Sequence, residues 1–175
     1  MHTAAMPDRD LPDHEVDIAV EDERWARALP DLEPLVTRAV EAGLLAGLAS
    51  LPDPVAGPAI VSVLLTDDAE VQVLNRQWRG KDKPTNVLSF PAAAQPLPPG
   101  VKRPLGDVVL AYDTLVRESS DPSKLLRDHL AHLLVHGTLH LLGQDHETGD
   151  AQAEAMEAFE IAVLAGLGIP NPYAD

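Results

Sequence analysis

Three histidines in the stretch His136-Gly137-Thr138-Leu139-His140-Leu141-Leu142-Gly143-Gln144-Asp145-His146 are spaced so that they can close on one metal ion. If Ser123 to Leu142 is helical, His136 and His140 are i and i+4 on one face, and their rings can converge on a common atom. Gly143 then ends the helix. A glycine just past the last turn readily takes the left-handed conformation, which turns the chain so that His146 can reach back. Three neutral imidazoles leave a coordination position open, as in catalytic zinc sites, whereas structural zinc sites are closed by four protein ligands. The bland alternative is that these histidines are satisfied members of a polar helix face. His132, one turn before His136 in the apolar run from Leu130 to Val135, is either a ligand or a packed residue supporting one, and His129 adds a further imidazole.

The spacing matches the metzincin pattern H-E-x-x-H-x-x-G-x-x-H at all three histidines and at the glycine. The residue after the first histidine, a glutamate general base in those proteases, is Gly137 here. Peptide hydrolysis is therefore a poor fit.

A second concentration of chemistry is Arg79-Gly80-Lys81-Asp82-Lys83-Pro84-Thr85-Asn86, a cationic loop between two apolar elements. Arg79 could point into the metal cleft, where a guanidinium can hold a phosphate bidentately and stabilise charge on a transferring phosphoryl group. Alternatively these are helix C-terminal cations favoured by the macrodipole, followed by a solvated turn. Asp107, at the head of an apolar strand, either orients a ligand histidine or caps the strand's exposed start.

The elements that must position these groups follow from periodicity. Val16 to Val20 alternates as a half-buried strand, and Ala59 to Leu65 is a β-branched run suited to a central one. Asp31 is a plausible cap for a helix to about Ala49, and Thr66 followed by Asp67, Asp68 and Glu70 has the cap and acids that open a shorter one, whose apolar positions are Val71, Leu74 and Trp78. Val87 to Phe90 and Leu105 to Tyr112 are strands. Asp121-Pro122-Ser123 opens the long histidine helix, with Leu125, Leu126, Leu133 and Leu139 directed to the core. A last amphipathic helix, from about Asp150 to Leu167, uses Met156, Phe159, Ile161, Val163 and Leu164. The expected fold is α+β: a single small mixed β-sheet covered by helices, with a long helix carrying the metal-binding HxxxH. Residues 1–15 read as a disordered lead-in, 16–170 as one domain with a Pro-rich loop at 91–104, and 171–175 as a tail.

With 175 residues, one domain has a sizeable core. Cys is absent, which excludes disulfides and thiolate metal sites and fits a reducing cytoplasm. The first residues read neither as a secretory signal nor as a transit peptide, and no apolar run reaches membrane-spanning length. A net charge of -15 argues, taken alone, against a nucleic-acid partner, but Arg76, Arg79, Lys81 and Lys83 form a local basic cluster that could meet a polyanion.

Together Arg79 to Pro91, Leu105-Gly106-Asp107 and His136 to His146 resemble the YbeY family, bacterial single-domain metal-dependent endoribonucleases and rRNA maturation factors. The resemblance implies one zinc ion per chain held by His136, His140 and His146, and a functional arginine at Arg79. It also implies action on single-stranded RNA in small-subunit rRNA 3′-end maturation and ribosome quality control, with the small ribosomal subunit and its assembly proteins as partners, no membrane, and a cytoplasmic location. Gln144 stands where the family usually has a larger, often aromatic residue, and Trp78 where Tyr or Phe is common. With no glutamate at Gly137, the base is zinc-activated water, His132, Asp107 or the RNA 2′-hydroxyl. Two rivals are a non-enzymatic ribosome assembly factor with a structural zinc, and a metal hydrolase of another substrate class.

Overall fold

The computed structural model describes residues 13–51, 57–121, 124–144 and 149–173. In chain order the elements are β1 (Glu15–Val20), α1 (Arg24–Ala28), α2 (Leu32–Ala49), β2 (Ala59–Thr66), α3 (Asp68–Arg79), β3 (Val87–Pro91), β4 (Arg103–Ala111), α4 (Tyr112–Glu118), α5 (Leu126–Leu141) and α6 (Asp150–Gly166). The four strands form one mixed sheet in the order β1-β2-β4-β3. β1 and β4 flank β2 in parallel, and β3 runs antiparallel to β4 at the edge. This is the α+β arrangement that the periodicity predicts.

Alternation along the strands divides the molecule into two layers. Val61, Val63, Leu65, Val108 and Leu110 point into the main core with α2 and α5, while Val109, Ala111 and Leu88 meet Val71 of α3 on the opposite face. Helix α5 lies in the middle of the main layer. From His129 to Leu141 every residue is buried except His132, His136 and His140. A helix apolar nearly all round belongs inside a protein, so this single stripe at four-residue spacing is where it opens.

The helix ends carry their own logic. Within the stretch Thr66 to Glu70 expected to open α3, the cap is Asp67, which accepts from the Glu70 amide at 2.9 Å. Asp31 stands at the start of α2 but makes no side-chain cap bond, because its carboxylate is taken by Arg127 of α5 at 2.8 Å. The start of α5 also differs from expectation. Pro122 and Ser123 lie outside the described residues, and the helix begins at Leu126, with Leu125 extended before it. Off the helical stripe, Leu125 is 55% exposed rather than in the core. Its C-terminus behaves as read. Gly143 has a φ of 91°, its amide donates to His140 O at 3.0 Å, and the Gln144 amide donates to Leu139 O at 3.1 Å, a Schellman closure. In α6, Met156 and Leu164 are buried, Phe159, Ile161 and Val163 are partly so, and the residue midway along the buried stripe is Glu160. Residues 1–12, most of the expected lead-in, lie outside the described residues.

Candidate metal centre

On the open stripe of α5 the Nε2 atoms of His136 and His140 lie 3.1 Å apart, with ring centroids separated by 4.6 Å. The i,i+4 spacing produces this convergence directly, since both side chains lean over the same turn. His146, the third histidine of the motif, lies outside the described residues.

Behind His136 is a carboxylate that reading by periodicity overlooks. Glu160 of α6 is fully buried, and its Oε2 lies 2.6 Å from His136 Nδ1. Its other oxygen, Oε1, lies 2.9 Å from His132 Nε2 and accepts from the Tyr173 hydroxyl at 2.6 Å. Burial pushes this carboxyl up, but the hydrogen bonds from His132, His136 and Tyr173 outweigh it and hold the pKa at about 2. An ionised carboxylate can only accept, so His136 donates through Nδ1, and in the neutral ring its Nε2, which faces His140, is the acceptor. By the same count His132 donates through Nε2. Burial and the adjacent Glu160 charge push the Tyr173 phenol upward, so it stays a donor. His129 is separate from this network. It is buried, its Nε2 lies 2.7 Å from Glu118 Oε1, and burial lowers its pKa, so it ties α4 to α5.

His132, His136 and Glu160 bring ligand atoms within 4.8 Å of one another and could themselves hold a metal ion. In the hydrogen-bonded arrangement observed, however, both histidine atoms on that side are proton donors. The acceptor nitrogen of His136 is on the other side, toward His140. Paired neutral imidazoles suit zinc, and a carboxylate accepting from the far nitrogen of a ligand histidine is the usual way of fixing its tautomer and raising its basicity.

The glycine in the motif has a packing cause. A Cβ built on Gly137 would stand 2.7 Å from Val108 Cγ1 and 3.1 Å from Ser89 Oγ, and the Ser89 hydroxyl donates to Gly137 O at 3.3 Å. Helix α5 crosses β3 and β4 so closely here that even a Cβ would have to displace Val108. A protease-type glutamate has no room at this position.

Arg79 shares an open cleft with the two histidines. The cleft is lined by Arg79, Thr85, Asn86, Val87, Ser89, Pro91, His136, His140, Gly143 and Gln144. Gly80, left-handed at φ 72°, ends α3, and the loop beyond it is pinned by Asn75 Nδ2 donating to Lys83 O at 2.9 Å. Asp107 is elsewhere. It sits opposite Phe90 in the β3–β4 register, on the sheet face away from Val108 and Gly137, and makes no hydrogen bond to a histidine among the described residues. The orienting role that the sequence offers to Asp107 belongs to Glu160.

The family model for endoribonuclease YbeY matches residues 31–168, a span that contains Arg79, the three motif histidines and Glu160. The chain belongs to the YbeY family. Relatives bearing the name endoribonuclease YbeY include one from Azorhizobium caulinodans, 55% identical over 91% of this chain and 96% of its own. One from Bradyrhizobium sp. is 48% identical over 97% of both chains. A third, from Paramagnetospirillum magneticum, is 49% identical over 86% of this chain and 90% of its own.

Two members of the site in this YbeY-family chain escape sequence reading. Glu160 interrupts the stripe Met156, Glu160, Leu164, and a carboxylate in the middle of an apolar i,i+4 row is the signal that could have found it. Tyr173 lies past the helix stop in what reads as a tail, and nothing local marks it. No described helix is long and apolar enough to cross a membrane.

Proposed function

We propose that the protein is a metal-dependent endoribonuclease acting on single-stranded RNA, in small-subunit rRNA 3′-end maturation and ribosome quality control in the cytoplasm. One zinc ion is held by His136, His140 and His146, and its partners are the small ribosomal subunit and assembly proteins. The observation that carries this reading is the pair of facing Nε2 atoms, one with its tautomer fixed by Glu160, in a cleft that also contains a guanidinium.

When bound, zinc can lower the pKa of water toward about 7 or polarise a phosphodiester oxygen. The chain's own part is positioning and charge. Glu160 holds the His136 ring and its proton in place. Arg79 offers paired N–H donors to non-bridging phosphate oxygens and stabilises the charge that builds on them during in-line displacement. No carboxylate lines the cleft among the described residues. His132 is engaged as a donor to Glu160, and Asp107 is on the far face of the sheet, so neither protein group is available as a base. Whether the RNA 2′-hydroxyl or water attacks, its proton passes to solvent as the new P–O bond forms, and the departing ester oxygen takes a proton from solvent as its bond to phosphorus breaks.

A peptide substrate is disfavoured because the general-base position is filled by the contact of Gly137 with Val108. The net charge of -15 favours one rival, an assembly factor that binds rRNA without cutting it. Incubating zinc-loaded protein with a single-stranded rRNA 3′-end fragment, its duplex and a peptide tests the reading. Cleavage confined to the single strand is expected. Binding without turnover in nuclease-free material supports the rival, and peptide turnover contradicts both.

A further inference from the structure

Trp78, in the last turn of α3, is 71% exposed, the most exposed large apolar side chain among the described residues. The chain's other tryptophan, Trp25, is fully buried with its indole N–H donating to Thr66 O at 2.9 Å. An indole left in water next to an arginine that lines a cleft calls for a partner more than a scattered Leu or Val does. Its ring meets Phe90 edge-on, with centroids 6.4 Å apart, which holds it at a fixed attitude. Phe90 lies between Ser89 and Pro91, and both of these line the histidine cleft from the edge strand β3. The next residue along α3, Arg79, lines that cleft itself. A chain leaving the histidines therefore crosses one edge strand to reach the indole.

The surroundings select the occupant. Arg79, Lys81 and Lys83 are exposed and have no carboxylate partner among the described residues, in a chain of net charge -15. Arg76 alone of this group is paired, at 3.8 Å from Asp82. An aromatic face flanked by uncompensated cations fits a strand of phosphates carrying unpaired bases.

We propose that Trp78 is a stacking platform for an unpaired base of the RNA, beside the phosphate held by Arg79. The inference rests on the ribonuclease reading above and gives single-strand preference a physical source. In a duplex both faces of a base are covered by its neighbours, so the indole has nothing to stack on.

The test compares zinc-loaded wild type, Trp78→Ala and Trp78→Phe for binding to a labelled oligouridylate and to the same strand in duplex. Trp78→Ala should bind the single strand about 5- to 150-fold more weakly, with Trp78→Phe between it and wild type. Zinc content and melting temperature should match in all three, because the side chain is largely in solvent. Wild-type indole emission should be quenched by the oligonucleotide, and the quenching lost in Trp78→Phe, where only the buried Trp25 remains. Wild-type affinity in Trp78→Ala overturns the inference alone and points to a protein partner for the indole. Equal affinity for duplex and single strand also overturns it. A wild type that binds no single-stranded RNA overturns the ribonuclease reading and this inference with it.

Discussion

The carboxylate of Glu160 and the Nδ1 of His136 share a 2.6 Å hydrogen bond inside the protein, and that bond determines which nitrogen of His136 faces the cleft. Glu160→Gln keeps the shape but replaces a charge that accepts from three donors with a neutral amide. Zinc affinity should fall about 10- to 100-fold, measured by competition with a chromophoric chelator. An affinity equal to wild type in a folded variant would mean that Glu160 serves only packing.

Tyr173 reaches the same carboxylate from beyond α6 and also stands 3.0 Å from His132 Nε2. Tyr173→Phe removes one hydrogen bond to a charged group whose hydroxyl end is only partly shielded. The expected loss is about 1 kcal/mol of stability, or roughly 2–4 °C in melting temperature. Zinc affinity should drop less than in Glu160→Gln, since the bond to His136 survives. A larger zinc defect in Tyr173→Phe than in Glu160→Gln would mean that the phenol, not the carboxylate, governs the His136 ring.

Gly137 reports how tightly α5 is set on the sheet. Gly137→Ala forces a Cβ to within 2.7 Å of Val108 Cγ1, and should cost about 1–3 kcal/mol in chemical denaturation. Val108→Ala in the same chain should return part of that loss. No rescue would place the strain somewhere other than this contact.

Arg79→Ala should lower the cleavage rate by roughly 10²- to 10³-fold while leaving zinc content intact, and Arg79→Lys should recover little, because an ammonium cannot make the paired contacts of a guanidinium. Loss of zinc along with Arg79 would mean that its role is structural.

Much of the fold is legible in pattern alone. The two-residue alternation of Val61, Val63 and Leu65, and the run ending at Gly143, mark elements that the structure places where periodicity does, apart from the later start of α5. The start of α3 is legible in Thr66 followed by three acids, and the structure gives the cap to Asp67. Asp31 differs because local pattern makes it a cap, whereas its carboxylate is taken by Arg127, a group distant in sequence. Glu160 is the reverse case. Twenty-four residues separate it from His136, and only the packing of α6 on α5 shows that a charged residue on a buried stripe has donors waiting. Trp78, expected with Val71 and Leu74 on the apolar side of α3, is mostly in solvent and meets only the edge of the sheet at Phe90 among ring contacts of the described residues.

The most direct test of the metal-dependent mechanism is the zinc content and RNA cleavage of wild type beside His140→Ala, prepared together and checked for folding by circular dichroism. One zinc per chain and cleavage of a single-stranded rRNA 3′-end fragment are predicted for the wild type, and both should be lost in the variant. A folded His140→Ala that keeps its zinc and cuts at the wild-type rate would contradict that mechanism, and would move the ion to the His132, His136 and Glu160 side of the helix.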